Sequence, residues 1–453
     1  MHKFRHILLL SLAMILLLVS ACSSDDVLDE SLYESSQSEA SSREEYSTES
    51  SMVLSEPTES IATDSEVEIE TENAYMKAVW LSQYDLMSVY RENGTQRPAD
   101  SFSALMKTVL DNVAKDGYNA IFVQVRPFGD SMYPSEVYPV SSYVSGAYGN
   151  EDIYDPLEII VALALERGLE VHGWINPMRT MKTAEIKSVP DSYLIKQWYN
   201  DENTMGDYLV EFDGRLYLNP AHPEVRNMIV EGAKEICEKY AVAGIHMDDY
   251  FYPTTDASFD QIAYDAYKKA GGTKSLARFR YENINALVRE LYSGIKSVNE
   301  ELQFGISPMG NLETSYTTLY TDVYTWCKED GYIDYICPQI YFGLEHQTHD
   351  FKSVYRTWKA IIKNENVELY VGMTLGKAQS GVDNYAGTGK TEWADHKDVL
   401  KRCLEYLQTK EECTGVVFFC YQYMYDPVTG ASVAETATER KNMKDALDAL
   451  GNN

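Results

Sequence analysis

Two adjacent aspartates, Asp248 and Asp249, are the residues of this sequence best suited to chemistry. They follow a short apolar segment, residues 243–247, and precede three aromatic residues at positions 250–252. Carboxyl groups act as nucleophiles and as proton donors, and flat aromatic rings can pack against the apolar faces of sugars. The segment therefore favours a site that cleaves carbohydrate, with Asp248 and Asp249 as its catalytic residues.

Which residue provides the second carboxyl group of such a site is an open question. Glycosidic cleavage normally uses two, about 5–5.5 Å apart in retaining enzymes and about 6.5–9.5 Å apart in inverting ones. Adjacent strand residues point in opposite directions, so Asp248 and Asp249 can share one site only where the strand has broken into a loop; Pro253 and the aromatic run favour such a break. Asp248 is the better candidate for a nucleophile or stabilising group, and Asp249, Glu313 or Glu345 could be its partner.

A substrate-assisted route is the preferred alternative for an N-acetylated sugar. In that route the 2-acetamido group attacks, one aspartate orients it, the other acts as the acid, and Tyr341 holds the acetamido group. The seventh predicted strand ends at residues 372–374 without a carboxylate, which argues against the commonest retaining arrangement. The linkage cleaved and the stereochemical outcome stay open at this point.

Eight apolar, β-branched segments predict eight strands separated by segments of helical period. The predicted strands are residues 77–83, 120–126, 170–176, 243–248, 303–308, 333–341, 367–374 and 415–421. The predicted helices are residues 104–115, 157–166, 223–240, 278–299, 354–363 and 396–408. Eight alternations favour a (β/α)8 TIM barrel. An open doubly wound sheet is the alternative, but the sequence has no glycine-rich dinucleotide loop.

The C-terminal ends of barrel strands build the active site, and here five of those ends are polar or aromatic. Two connections, residues 177–219 and 252–276, are longer than usual and are expected to cap this mouth. The predicted substrate-binding residues are Gln124, Arg126, Asp130, Trp174, Asn176, His246, Tyr250, Gln339, Tyr341 and Tyr421.

Several of these candidates have a structural alternative. Arg126 and Asp130 could pair with each other across a loop, and Asn176 could be only a turn former before Pro177. Three further rings could belong to the packed interior of the barrel, namely those of Trp174, His246 and Tyr341.

The N-terminus has the pattern of a targeting signal. Lys3 and Arg5 precede an apolar run, residues 7–19, of the length of a signal-peptide core, and residues 18–22 resemble the lipobox of bacterial lipoproteins. In that class of signal Cys22 is lipidated and becomes the first mature residue; an ordinary cleaved signal is the alternative. We therefore expect a signal peptide at residues 1–21 and a protein anchored by lipid to the extracytoplasmic face of the cell membrane.

Residues 22–72 are predicted to form a disordered acidic tether rich in Ser and Glu. Between residues 23 and 72, sixteen residues are Asp or Glu and only Arg43 is basic. Such a composition buries too little apolar surface to offset the entropy of ordering. Residues 73–453 are expected to form the catalytic domain. The formal net charge of −31, without a basic stripe, excludes nucleic acid as a favoured partner.

No metal or cofactor is expected. His172, His246 and Asp248 could be imagined as ligands of a metal-dependent hydrolase, but the sequence lacks a His-x-His or His-Glu-x-x-His pattern. The six cysteines after Cys22 have wide, irregular spacing without a zinc pattern, and they are predicted to be mostly small buried side chains, although one or two disulfides are compatible with an oxidising compartment.

Several motifs in order resemble the glycosyl-hydrolase-like 10 family. They are FVQVRPFGDSMY at 122–133, YDPL at 154–157, RGLEVHGWINP at 167–177, YLNP at 217–220, GIHMDDYFYP at 244–253, FGISP at 304–308 and IDYICPQIY at 333–341. The resemblance is strong over residues 77–341 and looser over the last two strands. Met178 departs from it, since an aromatic residue is expected after Asn-Pro.

This resemblance implies a bacterial envelope protein, often a lipoprotein, with a barrel glycosidase domain. Its implied substrate is the glycan of peptidoglycan, especially strands stripped of stem peptides. Two other functions are kept open: a glycan-binding lipoprotein without catalytic activity, and a metal-dependent hydrolase of another envelope substrate.

Overall fold

Eight parallel strands close into a barrel in the computed structural model, which describes residues 75–451. The strands are β1 Met76–Leu81, β2 Ala120–Arg126, β3 Glu170–Ile175, β4 Gly244–Met247, β5 Gln303–Ile306, β6 Tyr335–Ile336, β7 Glu368–Thr374 and β8 Cys413–Phe419. Each strand pairs with the next, and β1 closes the barrel against β8, with Val79 opposite Phe418. The predicted (β/α)8 barrel is confirmed. The predicted signal peptide and the whole predicted tether, including Cys22, lie outside the described residues.

Helices surround the barrel and connect its strands. Their bounds are Gln83–Tyr90, Ala99–Lys115, Ser142–Ser145, Pro156–Leu165, Leu194–Asn200, Pro223–Lys239, Gln261–Lys269, Leu276–Val298, Leu312–Leu319, Val323–Trp326, Phe351–Ile361, Gly376–Ser380, Glu392–Asp395, Val399–Leu407 and Ala434–Ala449. Within the described part of the chain, none of them has the length and apolar character needed to cross a bilayer.

The helix Phe351–Ile361 shows why these segments are helical. Asp350 caps its first turn, because the Asp350 carboxylate accepts a hydrogen bond of 3.1 Å from the backbone N–H of Ser353. Its buried residues recur at the spacing of one helix face and pack on the core; they are Phe351, Val354, Tyr355 and Trp358.

Alternation along each strand separates two apolar cores. On β1, Ala78 and Trp80 point into the barrel, whereas Val79 and Leu81 join the core between strands and helices. Large rings fill the interior, so the barrel is packed rather than open. The six cysteines of the described chain are free thiols, five of them buried, which confirms their interpretation as buried side chains.

The sixth strand is much shorter than the predicted residues 333–341. The regular ladder covers only Tyr335–Ile336, because Pro338 has no N–H to donate. Beyond it the chain keeps contact with its neighbours through isolated bridges from Gln339 to Met309 and to Gly372. Gln339 is thereby held at the mouth of the barrel although it lies outside a strand.

The two long connections fold into structures of their own. Residues 177–219 contain a three-stranded antiparallel sheet of Arg179–Lys182, Arg215–Leu218 and Leu209–Phe212, in that spatial order. The connection after β4 is held by a fully buried ion pair, in which Arg280 lies 2.7 Å from Asp260.

Candidate active site

Asp248 and Asp249 directly follow β4 at the C-terminal mouth of the barrel, where the strand ladder has ended. Their exposed fractions are only 2% and 5%. They bind different partners: Asp248 contacts residues at the end of β3, whereas Asp249 contacts Gln339. The expected break of the strand into a loop is confirmed, since the ladder of β4 ends at Met247.

The carboxylate of Asp248 accepts three hydrogen bonds. Its Oδ2 accepts from the indole N–H of Trp174 at 3.0 Å and from the amide of Asn176 at 2.7 Å. Its Oδ1 accepts from the backbone N–H of Tyr250 at 3.2 Å. Three donors favour the ionised form and fix the orientation of the group. A carboxylate offers about four lone-pair positions, so room remains for one further donor.

A polar chain behind Asp248 holds Asn176 in this orientation. Gln124 donates to the Asn176 amide oxygen at 2.7 Å, and its own oxygen accepts from the backbone N–H of Gln83 at 3.0 Å. All of these groups are buried. The amide orientation of Asn176 therefore follows from its two partners, and its nitrogen is the atom that donates to Asp248.

Asp249 is held by Gln339, whose amide nitrogen also donates to the backbone oxygen of Ser307 at 2.9 Å. The buried guanidinium of Arg179 is a positive charge that acts on both carboxyl groups. Arg179 lies between two rings, 4.9 Å from the centroid of Phe128 and 4.4 Å from that of Tyr250. This residue was not among the predicted site residues; its signal was the Asn-Pro-x-Arg sequence after β3.

The two carboxyl groups titrate well above the usual range of aspartate. Burial, reinforced by the negative charge of Asp249, raises the pKa of Asp248 to about 8. Burial raises the pKa of Asp249 to about 6, against the lowering effects of Gln339 and Arg179. Two buried carboxyl groups in this relation behave as a pair that shares one proton near neutral pH. The site thus combines a carboxylate with a carboxylic acid, as acid-base chemistry requires.

His246 lies in the ring-filled interior beneath the mouth. Its Nε2 accepts from the Trp80 indole N–H at 3.2 Å and lies 2.9 Å from Ser307 Oγ, while its Nδ1 lies 3.0 Å from the hydroxyl of Tyr335. Burial, together with the nearby His172, holds the pKa of His246 well below its usual range. Its contacts correspond to the structural alternative, a neutral and hydrogen-bonded interior histidine.

Three predicted residues are not brought to the aspartate pair. A register shift between Gln124 and Arg126 turns the Arg126 guanidinium toward Tyr138, with whose hydroxyl it hydrogen-bonds. Asp130 accepts from the backbone N–H of Phe128 and from the hydroxyl of Tyr148. These partners show that Arg126 and Asp130 do not pair with each other, contrary to the sequence alternative. The hydroxyl of Tyr421, fully buried, accepts from Asn112.

Aromatic residues line the opposite side of the mouth. Tyr341 stacks on Phe419 with centroids 6.0 Å apart, and Tyr423 meets the same ring edge-on at 6.1 Å. Tyr341 and Tyr423 are half-buried and pack against the interior cluster. Tyr423 was missed because β8 ends at Phe419 and continues as the short 3-10 turn Tyr421–Tyr423, which changes the directions of its side chains.

The two glutamates proposed as alternative acids lie elsewhere. Glu345 is exposed, with its carboxylate 3.6 Å from His396. Glu313 lines a groove beside the helix Leu312–Leu319, and its electrostatic neighbours are Tyr324 and His349. Among residues 75–451, no group of three or more His, Cys, Asp or Glu side chains could hold a metal ion.

An eight-stranded parallel barrel with a pair of buried carboxyl groups at its mouth defines a TIM-barrel protein that has the groups used in glycosidic cleavage. Residues 75–387 match the family described as Glycosyl hydrolase-like 10. The chain therefore belongs to this family, and the resemblance stated from the motifs is confirmed.

Relatives and a solved structure agree with that class. The chain is similar to glycosyl hydrolase YngK of Bacillus subtilis, with 31% identity over 65% of this chain and 58% of the relative. It is also similar to glycosyl hydrolase DigH of Escherichia coli strain K12, with 28% identity over 79% of this chain and 86% of the relative. The glycoside hydrolase domain of PgaB from Bordetella bronchiseptica shares the fold, with 11% identity, a TM-score of 0.50, and coverage of 81% of this chain and 98% of that domain.

Proposed function

We propose that this protein hydrolyses N-acetylhexosamine glycan strands of the bacterial cell envelope by a substrate-assisted mechanism. The observation that carries the proposal is the buried pair of adjacent carboxyl groups, each with its own hydrogen-bond partners. Adjacent groups can act on neighbouring atoms of one sugar residue, namely its 2-acetamido group and its glycosidic oxygen. No second carboxyl group across the mouth is then needed.

The roles of the two aspartates follow from their partners. The pair shares one proton, and in the reactive form that proton lies on Asp249, while three donors hold Asp248 as a carboxylate that can accept the N–H of the acetamido group and orient that group for attack. Asp249, which is held by Gln339, is the acid of the pair. Tyr341, which is half-buried and stacks on Phe419, is the residue proposed to contact the acetamido group.

The bond changes balance without a cofactor. The acetamido carbonyl oxygen bonds to the anomeric carbon while the bond from that carbon to the leaving oxygen breaks, and Asp249 gives its proton to the leaving oxygen. Asp248 stabilises the positive charge that develops on the acetamido group. Water then attacks the anomeric carbon and gives a proton back to Asp249. This attack breaks the bond between the anomeric carbon and the acetamido oxygen, so the ring formed in the first step opens.

Among such glycans, the proposed substrate is the glycan of peptidoglycan, especially strands without stem peptides. The family resemblance supports this choice, as does the lipobox-like sequence ending at Cys22, which would anchor the protein at the extracytoplasmic face of the membrane. The acidic segment after Cys22 would then separate the barrel from the lipid surface. The substrate and the localisation are both part of the proposal.

The test is incubation of residues 73–453 with peptide-free glycan strands, followed by assay of new reducing ends. We expect release by the wild type, unchanged by a chelator, and loss in Asp248→Asn. Binding without release would instead support a non-catalytic glycan-binding protein. Loss of release on chelation would support the metal-dependent hydrolase.

A further inference from the structure

A groove of about 430 Å³ lies at the rim of the barrel, between the helices Leu312–Leu319 and Phe351–Ile361. Cavities that bind small ligands typically measure about 300–1,000 Å³. Both helices begin in loops that follow barrel strands, so the groove belongs to the same end of the barrel as the aspartate pair. Its lining combines hydroxyl groups, a carboxylate, an imidazole and aromatic rings.

The groove is connected to the active site by a contact between two loops. Met309 forms a bridge with Gln339, the residue that binds Asp249, and the next residue, Gly310, lines the groove. A Cβ at Gly310 would lie 2.2 Å from the backbone oxygen of Gln339, so glycine permits this close approach of the two loops. The loop that forms one end of the groove is therefore packed directly against the residue that binds Asp249.

Two tyrosines give the groove an aromatic wall. Tyr324 has 45% of its surface exposed, and its ring meets that of Tyr316 edge-on with centroids 5.1 Å apart. Tyr316 in turn stacks on Tyr281 at 4.6 Å and accepts the Tyr281 hydroxyl on its backbone oxygen, at 2.8 Å. The wall is thus fixed from behind, while Tyr324 presents its ring to solvent.

Polar groups stand beside this wall. Glu313 is exposed at the start of its helix, and His349 stacks on Phe342 with centroids 5.5 Å apart. The Nδ1 atom of His349 lies 2.8 Å from the hydroxyl of Thr348, which leaves its Nε2 for a ligand. A single carboxylate, an imidazole and nearby hydroxyl groups suit a neutral polyhydroxylated ligand better than an anion.

We propose that this groove is a distal sugar subsite, which holds a neutral N-acetylhexosamine residue of the glycan chain whose cleavage point lies at Asp248 and Asp249. The proposal rests on the proposed function, and it extends the active site along the rim of the barrel. Tyr324 provides the stacking surface, and Glu313 and His349 bind hydroxyl or amide groups of the sugar.

The experiment measures affinity for N-acetylglucosamine oligomers by calorimetry, in a chain lacking residues 1–22 and carrying Asp249→Asn so that no ligand is cleaved. The hexamer should bind about tenfold more tightly than the trimer, a gain of about 1.4 kcal/mol. Tyr324→Ala should abolish that length preference. Leu165→Ala is the matched control, because Leu165 is 53% exposed at the end of a helix on the opposite face of the barrel.

Equal affinities for trimer and hexamer, or a length preference that survives in Tyr324→Ala, would overturn the subsite. Reducing-end release by the wild type is measured separately and reports on the proposed hydrolysis. If the length preference depends on Tyr324 while the wild type releases no reducing ends, the sugar-binding groove is supported and the hydrolase proposal fails.

Discussion

Two sides of the barrel mouth carry similar residue types but use them differently. The ends of β3, β4 and β6 direct Trp174, Asn176 and Gln339 onto the aspartate pair. After β2 and β8, Arg126 and Tyr421 turn away from it to contact Tyr138 and Asn112. A polar residue at a strand end therefore becomes part of the site only when strand alternation points it inward; a single bulge or a short turn removes it.

The largest difference in kcat between the two sides is expected when a carboxyl group is replaced by an amide. Asp249→Asn removes the proposed acid, so kcat on glycan strands should fall by about 10²–10⁴-fold, the usual contribution of general acid-base catalysis. Asp130→Asn alters a carboxyl group that binds Phe128 and Tyr148. It should lower the free energy of unfolding by about 1–3 kcal/mol and leave kcat within a few-fold.

Initial rates and thermal unfolding of both variants check this contrast. A loss of activity in Asp130→Asn as large as that in Asp249→Asn would contradict the assignment of Asp130 to the residues outside the active site.

The amide that orients Asp248 should have the next largest effect. Asn176→Ala removes the 2.7 Å hydrogen bond to Asp248, and a displaced catalytic group costs up to about 10²-fold in rate. Tyr421→Phe removes the hydroxyl that accepts from Asn112 and should change kcat by less than about twofold. Measurement of kcat and KM for both variants separates orientation from binding, because the Asn176 effect should fall on kcat.

Arg179 should change the pH dependence as well as the rate. Its positive charge lowers the pKa of both aspartates, so Arg179→Met should raise them and move the acidic limb of the kcat/KM profile to higher pH. The activity at pH 7 should fall by about tenfold. Arg215→Met is the control, since Arg215 also lies over Phe128, at 4.6 Å, but is not among the charges that act on the pair. An unshifted profile in Arg179→Met would contradict the account.

The aspartate pair should also make the protein less stable as the pH rises. The pKa of Asp248 is raised to about 8 in the folded chain, from about 3.9 in an unfolded chain. The folded state therefore binds more protons between those values, and the pair's contribution to stability falls as pH increases through that window. Asp248→Asn should raise the Tm more at pH 8 than at pH 5; an equal change at both pH values would count against burial as the cause.

The sequence allowed the barrel and the aspartate pair to be predicted because both depend on local signals: alternating apolar strands, and two carboxylates after the fourth. The contribution of Arg179 could not be derived in the same way, since it depends on how a separate antiparallel sheet folds back over Phe128 and Tyr250. The prediction that Arg126 and Tyr421 belong to the site failed for a similar reason. A register shift and a 3-10 turn leave no reliable pattern in the residues, yet each reverses the direction of a side chain.

The central claim is that the two aspartates act through the acetamido group of the substrate. The most direct test compares reducing-end release from peptide-free glycan strands before and after chemical removal of the N-acetyl groups. The account predicts that the wild type cleaves the acetylated strands and that release from the deacetylated strands falls to the level of Asp249→Asn. Equal release from both forms would contradict it, because the attacking group would then have to come from the protein.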